Sequence, residues 1–396
     1  MKMNFLRRLS PVGGLFRPIA FFVALVVVGS CIPDRIAVSP NNNEIAMTLK
    51  PSGSGPIRVL GMTCEVSNGM DLYIYRLRDK QLIRLTSNGL CNLCPDFSPD
   101  GRYVVYCSGD ASGESGAEIK VMRLEDRSGT TIARGFWPDW SPRSDRIAFV
   151  AREKRPEAAN ETYRLCVTDS KGQDTFVVYE SALPVWGWDS AGKNLYYAAQ
   201  TEETATTTVF SFDVETRAVQ RVFEIALPLA RRHSHQIACS SDSRYLALTV
   251  DSEHGDGVAI LDLTANKVQY LDKERADGFQ WDVRDPKFSP SGTLSVSFGY
   301  DPWYVFLYKC SDGTWQRVKE IRAGKDDRSP GYWGNHAWVI INGKEKMLIG
   351  YGQTDERNDF YELHLIDAET GQLERNLTKE ITPLLGDAAH AASPTL

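Results

Sequence analysis

The sequence contains few of the residues that bind nucleic acid or metal ions. Only six of its 396 residues are histidine, and 45 basic residues are outnumbered by 51 acidic ones. Four of the basic residues lie in the first thirty positions, which contain no acid, so the remainder has 41 basic and 51 acidic residues and a formal charge of −10. Because phosphate backbones are bound by basic surfaces, we do not expect nucleic acid as a partner.

The sequence also lacks an apolar run long enough to span a bilayer. The longest run, Ile19–Val28, follows the basic N-terminal segment, an order that is typical of a secretory signal peptide. It ends at Val28-Gly29-Ser30-Cys31, which resembles a bacterial lipobox. This resemblance implies a signal peptide over residues 1–30, lipid attachment at Cys31, and a mature chain that we interpret as one domain over residues 31–396.

The lipobox also predicts where the protein resides. Ile32 follows the cysteine, and in Gram-negative sorting a residue other than aspartate resembles an outer-membrane address. We therefore predict a bacterial cell-envelope protein that contacts the membrane through its lipid anchor. It would lie on the periplasmic face of the outer membrane or be exposed at that membrane. The alternative is an ordinary signal peptide with an incidental cysteine.

A hairpin pattern recurs along the rest of the chain. In its clearest copy, Pro95–Tyr106, an aromatic residue precedes Ser98-Pro99-Asp100-Gly101, and alternating apolar residues follow. Proline presets φ and glycine tolerates the exit geometry, so the four residues predict a tight turn between two strands. A second hairpin follows each copy, as at residues 72–85 and 258–271. The copies are anchored at positions 39, 98, 141, 189, 240, 289 and 341.

Repeats of roughly fifty residues, each with two hairpins, predict an all-β protein built from four-stranded blades. We predict a β-propeller with seven blades, with six or eight as alternatives. The motif at residues 95–102 resembles the TolB-type propeller repeat, which also occurs in the propellers of prolyl-oligopeptidase-like peptidases, and the resemblance covers nearly all of residues 32–380. The sequence contains no Gly-x-Ser-x-Gly elbow, so serine hydrolysis is not expected.

Cysteine suggests one covalent link. Eight cysteines are present, among them the pair Cys91-Asn92-Leu93-Cys94. A zinc site would need a second pair or histidines at suitable spacing, and a redox pair would need a helix N-terminus. We predict instead a disulfide from Cys64 to Cys91 or Cys94, with buried thiols as the alternative.

Several candidate ligand-binding residues precede inner strands or lie in the C-terminal tail, positions that would ring one mouth of a propeller channel. Seven-bladed oligogalacturonate lyases have a related repeat and hold a metal with histidine and glutamine near such positions, and residues 334–338 are similar to theirs. That similarity implies manganese or zinc, whereas the simpler interpretation is a histidine bonded to backbone and no cofactor. The candidates are Arg232, His233, His235, Gln236, His336 and His390.

Aromatic residues are concentrated between positions 281 and 338, where they predict either packing between blades or stacking on a sugar. No catalytic set has convincing spacing. We therefore predict a non-catalytic binding scaffold for a protein, peptide or glycan. The alternative is a metal-dependent polysaccharide-acting enzyme that resembles oligogalacturonate lyase. The aromatic residues are Trp281, Trp303, Tyr304, Trp315, Tyr332, Trp333 and Trp338.

Overall fold

Seven four-stranded antiparallel sheets make up the protein, each built from four consecutive strands. The predicted seven-bladed β-propeller is thus confirmed. The computed structural model describes residues 36–49, 69–109, 117–143, 145–153, 162–181, 184–201, 206–230, 236–252, 255–271, 282–299, 303–323, 331–355 and 358–385. The predicted signal peptide and Cys31 lie outside these residues.

The first four blades cover residues 37–225. Blade 1 contains β1 (Ala37–Val38), β2 (Glu44–Leu49), β3 (Asp71–Arg76) and β4 (Leu82–Arg84). Blade 2 contains β5 (Cys91–Phe97), β6 (Tyr103–Gly109), β7 (Glu118–Arg123) and β8 (Gly129–Arg134). Blade 3 contains β9 (Phe136–Trp140), β10 (Arg146–Glu153), β11 (Thr162–Asp169) and β12 (Phe176–Ser181). Blade 4 contains β13 (Val185–Trp188), β14 (Asn194–Thr201), β15 (Thr206–Asp213) and β16 (Val219–Ile225).

The last three blades are followed by a short helix. Blade 5 contains β17 (Ala238–Cys239), β18 (Tyr245–Ser252), β19 (Gly255–Asp262) and β20 (Lys267–Leu271). Blade 6 contains β21 (Asp282–Phe288), β22 (Leu294–Gly299), β23 (Trp303–Ser311) and β24 (Thr314–Ala323). Blade 7 contains β25 (Gly331–Ile341), β26 (Lys344–Asp355), β27 (Asn358–Asp367) and β28 (Leu373–Asn376), and α1 (Leu377–Ile381) follows. No helix within the described ranges is long and apolar enough to cross a membrane.

The repeated anchor residues form the turns between the first and second strands of the blades. In blade 2 the buried Ser98 hydroxyl donates to Asp100 Oδ1 at 2.6 Å and accepts the Tyr103 N–H at 3.0 Å. The same pair of bonds recurs around Ser39 and Ser240. A buried backbone N–H needs a partner, and the anchor hydroxyl supplies one. The motif therefore recurs in the blades that make this same buried turn.

The hydrophobic core lies between neighbouring blades. On β18, Leu246 and Leu248 pack in the core shared with blade 4, whereas Tyr245 and Ala247 pack in the core shared with blade 6. Alternation along a strand places successive side chains on opposite faces, so each central strand supplies two cores. Trp315 and Trp338 belong to such cores, and for these two residues the packing interpretation is correct.

Among the described residues, blades 1 and 7 close the ring without exchanging a strand. A core of buried residues joins the two blades and α1. Helix α1 also carries Glu380, whose carboxylate accepts hydrogen bonds from Arg375 at 2.5 and 3.0 Å and from the Tyr75 hydroxyl of blade 1 at 2.6 Å. Arg375 Nη1 donates to the Leu77 carbonyl at 3.0 Å. The helix therefore holds the first blade against the last.

The two ends of the ring differ. Consecutive antiparallel strands place the turns from first to second and from third to fourth strands at one end, which we call the turn end. The opposite, connection end carries the links from second to third strands and between blades. At the turn end neighbouring blades are bonded to each other: Ser190 Oγ lies 2.8 Å from Ser243 Oγ, Ser241 Oγ donates to the Pro290 carbonyl, and the Ser291 N–H donates to Glu345. Turns of neighbouring blades are thus hydrogen-bonded to each other at the three junctions from blade 4 to blade 7.

Candidate functional site

Two of the predicted ligand-binding residues, Gln236 and His336, lie within the described residues, at or beside inner strands. Gln236 is half-buried, and its backbone forms a parallel bridge with Trp186 of blade 4. The next residue strengthens this junction, since the Ile237 N–H donates to the Trp186 carbonyl at 2.7 Å. The structure therefore places Gln236 beside the inner strand of blade 4. The candidates outside the described residues are Arg232, His233, His235 and His390.

His336 is fully buried between blades 6 and 7. Its Nε2 lies 2.7 Å from Ser295 Oγ and its Nδ1 lies 2.8 Å from Ser297 Oγ, both on β22. Ser295 Oγ also donates to the Lys287 carbonyl at 3.0 Å and accepts the Trp338 indole N–H at 2.9 Å. A hydroxyl has one hydrogen, and here the carbonyl takes it. His336 therefore donates from Nε2 and, as a neutral ring, accepts the Ser297 hydroxyl at Nδ1.

The surroundings of His336 keep its imidazole neutral. Burial lowers the pKa of His336 well below its ordinary value of 6.5, and the nearby Lys287 ammonium lowers it further. Lys287 Nζ donates to the His336 carbonyl at 2.6 Å and to Asn335 Oδ1 at 3.2 Å. Both effects oppose protonation, because burial removes the hydration that a charged imidazolium needs and the Lys287 ammonium repels a second positive charge.

This arrangement fits a structural link between blades rather than a reactive site. A metal ligand needs a ring nitrogen with an available lone pair, but Ser295 and Ser297 occupy both nitrogens of His336. Ser295 and His336 do not form a nucleophile and its general base either. The Ser295 hydroxyl hydrogen is directed to a carbonyl, and both side chains are buried. The structure thus corrects the prediction that His336 lies at a channel mouth and binds a ligand there.

We expect His336 to make the protein less stable in mild acid. Its folded-state pKa lies below the unfolded value of about 6.5, so at lower pH the unfolded chain binds a proton that the folded chain does not. The free energy of unfolding should then fall by up to about 1.4 kcal/mol per pH unit below pH 6.5. Urea unfolding between pH 7.5 and pH 5 measures this slope.

The variant His336→Gln provides the control for that measurement. Glutamine keeps a donor and an acceptor but does not titrate, so the variant should lose the part of the slope that His336 supplies. Comparing the two slopes removes the contribution of carboxylates, which both proteins share. Equal slopes in the two proteins would contradict the assignment of a neutral, buried imidazole.

Three inner strands contain a bulge that the sequence analysis did not predict. Cys94, Trp137 and Asp285 have φ angles of +54°, +52° and +48°, and strand pairing changes register beside each of them. Each lies directly before a proline and four positions before an anchor residue. A positive φ is unfavourable for residues with a Cβ, and bulges redirect strands near functional sites. The recurring X-Pro step is the sequence signal that could have indicated the bulges.

One cysteine of the C-x-x-C pair forms a disulfide. Cys91 is disulfide-bonded, whereas Cys94 is buried and keeps its thiol, so the alternative in which Cys94 forms the bond is wrong. The predicted partner, Cys64, lies outside the described residues. Cys107, Cys166, Cys239 and Cys310 are free thiols.

The described parts of the chain contain no group of three or more histidine, cysteine, aspartate or glutamate side chains that could hold a metal ion. The candidate ligands for the manganese or zinc ion implied by the similarity to oligogalacturonate lyases were His235, Gln236, His336 and His390, and of these the structure does not describe His235 and His390. The manganese or zinc site stays a prediction.

Comparison with known proteins identifies the fold. No protein-family model matches the sequence, and no curated protein matches it significantly. TolB from Acinetobacter baumannii is 16% identical over 72% of this chain and 65% of its own, with a TM-score of 0.45. An acylaminoacyl peptidase from Pyrococcus horikoshii is 15% identical over 90% of this chain and 53% of its own, with a TM-score of 0.56.

A third structure matches over most of its length. The β-propeller domain of the Trilobed protease from Pyrococcus furiosus is 14% identical over 87% of this chain and 95% of its own, with a TM-score of 0.55. The chain spans less than two thirds of TolB and of the acylaminoacyl peptidase. The comparisons show that this chain shares the β-propeller fold.

Proposed function

We propose that the protein is an envelope-anchored lipoprotein whose propeller binds a protein, peptide or glycan at its connection end, without catalysing a reaction. The difference between the two ends of the ring carries this proposal. At the turn end, short turns of repeated sequence bond to their neighbours. At the connection end, the links differ in length: blade 1 joins its second and third strands through residues 50–70, whereas blade 7 joins them through residues 356–357 alone. Variable loops on a rigid scaffold are where binding residues concentrate.

Two observations support an envelope location. The lipobox ending at Cys31 predicts lipid attachment. In addition, Cys91 forms a disulfide, and disulfides persist in oxidising compartments such as the bacterial periplasm. The lipid anchor predicts that Cys31→Ser will move the protein from the membrane fraction to the soluble fraction.

The enzymatic alternative loses one of its predicted metal ligands. Ser295 and Ser297 already occupy both ring nitrogens of His336. Binding without metal chemistry is therefore the function that the described residues support best.

Site-specific photocrosslinking in intact cells of the native host tests the proposal. A photoreactive amino acid would replace Asp251 or Arg322 at the connection end, and Lys171 or Asp312 at the turn end. All four are exposed. We expect crosslinks to a partner from the connection end and none from the turn end. Crosslinks from the turn end alone, or from neither end, would refute the proposal.

A further inference from the structure

The chain enters the ring a short distance after the predicted lipid attachment. Ile36, the residue before β1, is buried in the core shared by blades 1 and 7. Four residues, 32–35, separate it from Cys31. Because an extended chain spans at most about 3.6 Å per residue, the backbones of Cys31 and Ile36 lie within about 18 Å of each other. A lipid on Cys31 would therefore hold the ring close to the bilayer surface.

The direction of β1 determines which end of the ring faces that surface. β1 starts on the side of the connection end and leads into the first turn of blade 1 at the turn end. The register of β1 and β2 sets Ile36 level with Met47, two residues from Leu49, where β2 ends at the connection end. Those two residues cover about 7 Å of strand, so Cys31 reaches no farther than about 11 Å beyond Leu49.

The turn end lies out of reach of Cys31. To pass there, the chain before Ile36 would have to reverse and run back beside β1 toward Ser39. A reversal takes at least the two central residues of a tight turn, which leaves a span of at most about 11 Å for the rest of the tether. Ser39 is itself about 10 Å from Ile36 along the strand, and the turn through Asn42 extends beyond it. The lipid on Cys31 therefore cannot enter a bilayer at the turn end.

We propose that the connection end faces the bilayer and, next to blade 1, binds a protein embedded in the same membrane. This inference rests on the proposed lipid attachment and binding function, and it specifies the partner. At the tether, the gap between the ring and the bilayer is at most about 11 Å, whereas a globular domain of about 100 residues has a radius of gyration of about 13 Å. A soluble protein does not fit this gap, but the loops of an embedded protein emerge at this height.

One described loop at the connection end of blade 1 suits contact with a protein. Residues 85–90 link blades 1 and 2, and Ser87 and Asn88 are exposed. The side-chain amides of Asn88 and Asn92 bond to each other at 2.9 and 3.2 Å, and Asn88 Oδ1 also accepts the Leu90 N–H at 3.0 Å. The loop is thus ordered before it binds, which lowers the entropic cost of binding.

Charge favours a protein partner over lipid headgroups. The loop contains no lysine or arginine, and residues 31–396 have 41 basic and 51 acidic residues, a formal charge of −10. Docking on an anionic lipid surface uses clusters of basic residues, whereas the centre of a protein interface is depleted of charged residues. The uncharged loop on an acidic body therefore fits a protein surface better than a lipid surface.

Fluorescence quenching in vesicles tests the orientation. The lipidated protein would be placed in phosphatidylethanolamine–phosphatidylglycerol vesicles that contain lipids with nitroxide headgroups, and a fluorescent amino acid would replace Ser87 or Asp79. These exposed residues flank β4 at the connection end and at the turn end. We expect loss of fluorescence from Ser87 but not from Asp79. Quenching that is equal at the two positions, absent, or confined to Asp79 would overturn the orientation.

A longer tether provides the matched control. About twenty Gly/Ser residues inserted between Asp34 and Arg35 would add a root-mean-square reach of about 25 Å. Fluorescence from Ser87 should then recover while the protein stays on the vesicles. Persistent quenching would mean that the connection end binds lipid headgroups directly, and would overturn the assignment to a protein partner.

Photocrosslinking from Ser87 in intact cells tests the partner. We expect it to capture a protein that resists carbonate extraction from the membranes of cells lacking the propeller, and we expect no capture from Asp79. Capture of a soluble protein, or of none, would overturn this inference. If Asp251 or Arg322 still captures a partner in that case, the proposed binding function stands without it. If mass spectrometry finds no lipid on Cys31, the proposed anchor fails and this inference fails with it.

Discussion

A chain that ends at Asn376 should be less stable by at least about 5 kcal/mol, because it lacks the helix that holds blades 1 and 7 together. The truncation removes Leu377, Ile381 and Leu385, which are buried in the core that joins these blades. Burial of each such side chain contributes roughly 1.5–3 kcal/mol, and a domain is stable by only about 5–15 kcal/mol in total. Urea unfolding and limited proteolysis measure the loss.

Two further proteins show which contacts are responsible. A chain that ends at Leu385 keeps every described contact of α1 and should be more stable than the chain that ends at Asn376 by this amount. Glu380→Gln should lose only about 1–2 kcal/mol, because it weakens the bonds to Arg375 and Tyr75 without removing apolar contacts. If the chains ending at Asn376 and Leu385 have equal stability, α1 does not close the ring.

The charge on Glu380 gives this closure a distinct pH dependence. Hydrogen bonds from Arg375 and Tyr75, with the nearby charges of Arg375 and Lys80, hold the pKa of Glu380 at about 2, below its ordinary value of 4.5. A carboxylate with a lowered folded-state pKa stabilises the protein fully above the unfolded value and progressively less as pH falls from 4.5 toward 2. The Glu380 contribution is therefore lost in stronger acid than the His336 contribution.

The seven blades could be predicted from the sequence because the turn motif has a local cause. Ser98 bonds to Asp100 and to the Tyr103 backbone within its own hairpin, so the same few residues recur wherever that turn is made. The clear copy at Ser98 and the weak copy at Asp189 both proved to be turns between first and second strands. Local turn chemistry thus gave the correct number and order of the blades.

The position of His336 could not be predicted from the sequence, because it depends on a neighbouring blade. A histidine before an inner strand was expected at the channel mouth, but Ser295 and Ser297 of β22 hold it inside the interface. Those serines alternate with Leu294 and Val296, whose side chains pack toward blade 5. The alternation predicts that the two serines point to the opposite face of β22, but it does not predict that they bind His336. The role of α1 was missed for the same reason, since Glu380 and Tyr75 lie 305 residues apart.

Replacing Gly187 by alanine should force blades 4 and 5 apart and destabilise the protein by about 3 kcal/mol or more. A Cβ at this position would lie 1.8 Å from the Ile237 carbonyl oxygen and 2.8 Å from its carbonyl carbon. The backbone of Ile237 cannot move away freely, because its N–H donates to the Trp186 carbonyl at 2.7 Å. Inserting an atom into a packed interior typically costs about 1–3 kcal/mol, and here the obstacle is backbone rather than a side chain that could rotate.

Gly129→Ala is the matched control for this substitution. Gly129 is also in a strand, is exposed, and a Cβ there would approach no atom closer than 3.9 Å, so its stability should change by less than about 0.5 kcal/mol. Thermal and urea unfolding of both variants would show the difference, and similar stabilities would contradict the close approach at Gly187. The junction also positions Gln236, whose backbone pairs with Trp186. Gly187→Ala should therefore also disturb Gln236, the predicted ligand-binding residue that the structure places beside the inner strand of blade 4.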